Sequence, residues 1–185
     1  MIIPTQMFFT KGLGVHKESL QSFEYALREA GIEKFNIVPV SSIFPPKCRL
    51  IPRKEGLKIL RPGQIVHCVM AKNSTKEPNR VITASIGLAL PTDEKTYGYI
   101  SEHHSFGESA RKAGDYSEDL AASMLASTFG IKFDVDEAWN EKKQVFKMSG
   151  KIVKTRNTTK SAKGDPKGNW TTVIAAAVFI SEHIG

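Results

Sequence analysis

Residues 80–90 read Arg-Val-Ile-Thr-Ala-Ser-Ile-Gly-Leu-Ala-Leu. Ile82, Ala84, Ile86, Leu88 and Leu90 alternate with Thr83, Ser85, Gly87 and Ala89, so one face is apolar and the other carries small side chains. A period of two residues is that of a strand showing alternate side chains to the two sides of a sheet. The apolar face demands a second layer to cover it, and the small face lets another element approach closely from the opposite side. A chain built around this strand is a layered protein.

The remaining segments supply the other layers. Residues 2–10 read as a first strand with Pro4 near its start, followed by a loop at Lys11-Gly12-Leu13-Gly14. Ser19 is placed to cap a helix running to Ala30, where Gly31 provides a left-handed stop. The apolar stripe of that helix is Leu20, Phe23, Leu27 and Ala30, with Glu24 at its edge. An acid in that place is either a solvated rim residue or an anion aimed at a cationic ligand. Residues 35–40 form a short apolar run interrupted by Pro39 and closed by Pro45-Pro46. Residues 64–71, 96–103, 143–155 and 170–180 read as strands, and residues 116–129 as a second helix ending at Gly130. The basic, Gly- and Pro-containing stretch 156–169 reads as a mobile hairpin loop. Helices separated by strand clusters give an α+β fold, and 185 residues suit a single domain spanning residues 1–185.

Composition narrows the function classes. With 41% hydrophobic and 24% charged residues, the chain has a core and is neither disordered nor fibrous. Cys48 and Cys68 are too few for a disulfide framework and have apolar neighbours, which predicts small buried thiols. No run approaches the ~18 apolar residues of a membrane span, and the N-terminal residues lack the order of a secretory signal, so a cytoplasmic location is expected. The histidines at 16, 67, 103, 104 and 183 show no metal-ligand spacing, so no metal is expected. His103 and His104 read as an exposed strand end. The net charge of +7 suggests nucleic acid, but residues 142–167 alone carry nine basic residues and one acid. The basicity is local, and the loop at 156–169 has no aromatics before Trp170, which makes a nucleic-acid or polyanion partner the lesser alternative.

The stretch Phe35-Asn36-Ile37-Val38-Pro39-Val40-Ser41-Ser42-Ile43-Phe44-Pro45-Pro46 resembles the self-cleavage segment of the pyruvoyl-dependent arginine decarboxylases. The likeness extends to Phe23-Glu24-x-Ala26-Leu27 before it, and to Ile86-Gly87-Leu88-Ala89-Leu90-Pro91 and Gly98-Tyr99-Ile100-x-Glu102 after it. It covers most of the chain outside residues 142–168. The resemblance implies a four-layer αββα sandwich, self-cleaved into an associated β chain of residues 1–41 and α chain of residues 42–185. It also implies a homotrimer, or a dimer of trimers, with the site between subunits.

Elementary chemistry explains why such a segment needs these residues. The hydroxyl of Ser42 attacks the carbonyl of Ser41, exchanging an amide for an ester. Asn36 is the candidate donor to the oxyanion, a contribution of ~3–4 kcal/mol when well placed. Elimination and hydrolysis then leave a pyruvoyl group at residue 42 as a covalent cofactor. A substrate amine forms a Schiff base with that ketone, which accepts the electrons released with carbon dioxide. Glu102 matches the family's general acid, and burial on an apolar-flanked strand would raise its pKa toward neutrality. Glu24 matches the family's acidic helix residue and is a partner for a guanidinium. The family has aspartate there, so this chain departs by one methylene, leaving lysine or ornithine behind arginine as substrates. Phe35 and Ile43 are candidates to line the aliphatic stem of the substrate. The expected reaction is L-arginine to agmatine and carbon dioxide, a step suited to polyamine synthesis. An uncleaved, non-catalytic relative is the other alternative.

Overall fold

The computed structural model describes residues 3–130 and 152–181. In chain order the elements are β1 (Gln6–His16), α1 (Ser19–Ala30), β2 (Asn36–Pro39), β3 (Ile43–Phe44), β4 (Arg49–Leu50), α2 (Arg53–Ile59), β5 (Ile65–Thr75), β6 (Val81–Pro91), β7 (Gly98–Phe106), α3 (Ala110–Thr128), β8 (Ile152–Lys163) and β9 (Trp170–Ile180). They form a five-stranded sheet in the order β2-β5-β9-β1-β4 and a four-stranded sheet in the order β3-β7-β6-β8. This is the α+β class that the sequence predicts. No helix among the described residues is long and apolar enough to cross a membrane.

The alternation in β6 divides two interfaces. Ile82, Ala84, Ile86 and Leu88 enter the core between the sheets, where they meet Met7, Val69, Ala71, Ile100, Val173 and Ala175. Each large aliphatic side chain buried there contributes ~1.5–3 kcal/mol. The opposite face lies under α3, where Ser85 Oγ is 2.8 Å from Ser117 Oγ and Ser101 Oγ donates to the Ser117 carbonyl at 2.5 Å. At Gly87 a Cβ would stand 2.0 Å from the Ser117 carbonyl oxygen, so the helix rests on bare backbone. Gly87→Ala is therefore expected to destabilise the fold by about 2–3 kcal/mol, read as a lowered thermal midpoint.

Two expectations about local structure are corrected. β1 does not end in a loop at Lys11–Gly14 but runs on to His16, paired with β9 from Gln6↔Ile180 to His16↔Trp170. The glycines that suggest a turn are instead the seat of α1: a Cβ at Gly12 would lie 1.9 Å from the Ala26 carbonyl oxygen, and one at Gly14 2.0 Å from that of Ser22. The buried face of α1 accordingly consists of the small residues Ser22, Ala26 and Ala30, while Leu20 is 80% exposed. Ser19 opens the helix without capping it, and Gly31 closes it at φ 75°, as expected.

The second correction concerns residues 156–169. Residues up to Lys163 belong to β8, paired with β6 from Val81↔Lys163 to Pro91↔Ile152, and only residues 164–169 connect it to β9. Polar side chains on one face of β8 turn to α3 and β6 and find hydrogen-bond partners there. Thr155 Oγ1 and Asn157 Nδ2 each donate to the Glu118 carboxylate at 2.5 Å, and Thr159 Oγ1 is 2.7 Å from Ser85 Oγ. Of the strand expected at 143–155, residues 143–151 lie outside the described residues, and 152–155 begin β8. The second helix starts six residues before its expected position, where Ser109 Oγ accepts from the Lys112 N–H. Cys48 and Cys68 are buried, as expected, and burial pushes both thiols up to about 12.

Candidate active site

β2 forms one edge of the five-stranded sheet, parallel to β5 from Asn36↔Ile65 to Pro39↔Cys68. The Val40 N–H extends that ladder onto the Cys68 carbonyl at 3.0 Å. β3 forms one edge of the other sheet, with Ile43 opposite Tyr99 on β7. Ser41 and Ser42 are therefore the residues in which the chain passes from one sheet to the other. Prolines flank this crossing at 39, 45 and 46, removing N–H donors that would prolong either ladder.

Two backbone donors hold the crossing. The Ile43 N–H donates to the Ser41 carbonyl at 3.0 Å, and the Ile100 N–H of β7 donates to the Ser42 carbonyl at 2.7 Å. Ser41 lines a cavity of about 470 Å³ together with Pro4, Val40, Ile43, His67 and Phe179. Its volume falls within the ordinary range of small-molecule sites.

β7 carries Glu102 beside this crossing. Ile100 packs into the core between the sheets, and Ser101 turns the other way onto α3. By strand alternation Glu102 shares the face of Ile100. In the single chain Glu102 retains contact with solvent, but packing around its carboxyl already raises its pKa, with the charge of His104 pulling the other way. Its charge is felt in turn at Cys68, whose carbonyl anchors Val40.

The other expected site residues are distributed differently. Asn36 lies at the far end of β2, roughly 16 Å from Ser41 at ~3.3 Å per residue, and its Nδ2 donates to the Gly63 carbonyl at 2.8 Å. Glu24 lies on α1, its Oε1 2.5 Å from Arg28 Nε, and is absent from the cavity wall. Ile43 lines the cavity as expected. Phe35 does not: it is buried in the core under α1 with Phe8, Ile32 and Leu60, because the run it opens must anchor the start of β2. His103 is also not an exposed strand end. Its Nε2 lies 3.0 Å from Glu108 Oε2, and this bond, with that of Lys112, holds the Glu108 carboxyl down at about 2. Nothing in the sequence signals His67, the titratable side chain on the cavity wall, or the amides of Ile43 and Ile100.

With the Ser-Ser crossing and Glu102 in place, comparison with known proteins is decisive. The family model described as pyruvoyl-dependent arginine decarboxylase matches residues 6–183. The chain belongs to the pyruvoyl-dependent arginine decarboxylase family. A probable pyruvoyl-dependent arginine decarboxylase of Chloroherpeton thalassium is 61% identical over 178 residues, covering 96% of this chain and 98% of that protein. Pyruvoyl-dependent arginine decarboxylase 2 of Methanosarcina mazei is 58% identical over 180 residues, covering 97% and 98%. The pyruvoyl-dependent arginine decarboxylase of Methanococcoides burtonii is 60% identical over 179 residues, covering 97% and 99%. Membership of this family implies a covalent pyruvoyl group. Residue 42 fits that group: it is a serine, its carbonyl is fixed by Ile100, and its neighbours Ser41 and Ile43 line a cavity open to a small molecule.

Proposed function

We propose that this chain cuts itself between Ser41 and Ser42, carries a pyruvoyl group at residue 42, and converts L-arginine to agmatine and carbon dioxide. The observation that carries this reading is the Ser41–Ser42 peptide itself. It crosses between sheets with both adjoining carbonyls on backbone donors, next to a cavity and to the strand bearing Glu102. The cut would leave residues 1–41 and 42–185 as one folded domain. β1 pairs with β9 and β4, and β2 with β5, so two strands of the first piece would be held by three of the second.

The ketone supplies an electron sink that ordinary side chains lack. The chain's own residues do the rest. Glu102 delivers a proton to the substrate carbon that has lost its carboxylate, a task suited to a carboxyl whose pKa is raised by burial. Ile43 supports the substrate's aliphatic stem from the cavity wall.

The proposed assembly is a homotrimer, or two trimers paired, of four-layer αββα subunits. Its support is the apolar edge beside the crossing: Val38, Val40, Ile43 and Ile65 are 39%, 36%, 39% and 63% exposed. A second copy packed on this edge would bury them. Asn36 and Glu24 lie away from the Ser41–Ser42 peptide of their own chain. Their proposed roles, donor to the oxyanion and partner for the guanidinium, thus fall to a neighbouring copy.

Intact-mass measurement of the purified protein tests this reading. The expected result is two pieces, residues 1–41 and 42–185, the second lighter by one ammonia than a serine-terminated fragment. A single chain of 185 residues after prolonged incubation would overturn it. Agmatine formation, compared with the decarboxylation of lysine and ornithine, tests whether the longer Glu24 still selects arginine.

A further inference from the structure

We propose that the backbone N–H of Ile43 is the donor within its own chain that takes up the negative charge on the Ser41 carbonyl oxygen during self-cleavage. The inference rests on the self-cutting reading above and assigns a part of it to a group that no side chain reveals.

The balance of the reaction identifies where a donor is needed. As Ser42 Oγ bonds to the Ser41 carbonyl carbon, the hydroxyl proton leaves to water and the carbonyl π pair moves onto its oxygen. When that oxygen re-forms its double bond, the C–N bond between residues 41 and 42 breaks and the nitrogen takes up a proton. Removal of the Cα proton of residue 42 then breaks the Cβ–Oγ bond, and the Ser41 carboxylate leaves. The resulting dehydroalanine takes up water and loses ammonia to give the ketone. In the first of these steps the new charge resides on the Ser41 oxygen. A preorganised donor must lie 2.7–3.1 Å from where that charge develops, and in the uncut peptide Ile43 N already lies 3.0 Å from this oxygen.

Three features make this donor a fixed one. The Ser42 carbonyl and the Ile43 N–H belong to the same planar peptide unit. The Ile100 N–H grips the oxygen end of that unit at 2.7 Å, which leaves the opposite end aimed at Ser41. A hydrogen bond accepted at one end of a peptide also strengthens the donor at the other. The Ile43 N–H is directed to Ser41 although Ile43 is paired with Tyr99 across β3 and β7. Finally, the Asn36 amide of the same chain is directed at Gly63, so the Ile43 N–H is the donor that the chain itself supplies, beside the Asn36 amide proposed to come from a neighbouring copy.

The test replaces Ile43 by the α-hydroxy analogue of isoleucine in the full chain, which keeps the side chain and removes the N–H. Self-cleavage, followed by intact mass, is expected to slow by about 10²–10³-fold. The same replacement at Val40 removes an N–H bonded to Cys68 at an equal 3.0 Å in the same segment, and is expected to slow cleavage far less. Wild-type cleavage in the Ile43 variant, or equal slowing in both variants, would overturn the proposal. An uncut wild-type chain would instead overturn the self-cutting reading. Hydrogen exchange decides the matter without any cleavage: in the Ser42→Ala chain the Ile43 amide is expected to be protected, and exchange at the rate of a free amide would overturn the assignment.

Discussion

Replacing Ser42 by alanine is expected to leave a single uncut chain that releases no carbon dioxide from arginine. Both losses follow from one missing oxygen. In the proposed self-cleavage the hydroxyl at 42 is the nucleophile for the preceding carbonyl, and its Cβ–Oγ bond is the one whose breaking creates the ketone precursor. Alanine can do neither, so no partial activity is expected, in contrast to the graded losses of a removed donor. The crossing itself is held by main-chain bonds at Ser41, Ser42 and Val40, which alanine retains. The variant should therefore fold with unchanged circular dichroism and thermal midpoint, while gel electrophoresis shows one band. Carbon dioxide release by folded Ser42→Ala protein would remove the pyruvoyl group from residue 42.

The parts of the fold that sequence makes legible are those whose cause is local. β6 and β9 follow from period and apolar content, and the end of α1 follows from Gly31, a residue that adopts φ 75° without strain. What misleads is tertiary. Gly12 and Gly14 signal a turn by type, yet their lack of a Cβ serves contact with the α1 backbone from within a strand. Asn157 and Thr159 look like a solvated loop until α3 and β6 supply their hydrogen-bond partners. The same division holds at the site. Ser42 and Glu102 carry their proposed chemistry in side chains, and a sequence can display it. The Ile43 and Ile100 amides carry theirs in the main chain, which every residue but proline shares, so only the placement of β3 against β7 exposes them. Phe35 was indistinguishable by type from a substrate-lining aromatic; burial under α1 decides its place.

Glu102→Gln separates the two stages of the proposed function. Maturation requires an attack, an elimination and a hydrolysis at residues 41 and 42, none of which draws on Glu102, so the variant should cut itself and form the ketone at the wild-type rate. Decarboxylation should fall by about 10²–10⁴-fold, because glutamine has nearly the shape of the carboxyl but no acidic proton to deliver. The pH dependence follows from the cause of the pKa shift. Burial disfavours the charged carboxylate, so Glu102 keeps its proton to higher pH than an ordinary glutamate. Activity that needs the protonated acid is present below this raised value and declines as pH climbs through it. The positive charge of His104 favours the carboxylate and restrains the shift. His104→Gln should therefore raise the Glu102 pKa further and carry the alkaline limb of the profile to higher pH. That displacement, in an enzyme whose pyruvoyl content is unchanged by mass, would tie the limb to Glu102. An unmoved limb, or a Glu102→Gln enzyme that turns over at the wild-type rate, would assign the proton to another donor, with His67 on the cavity wall the next residue to replace.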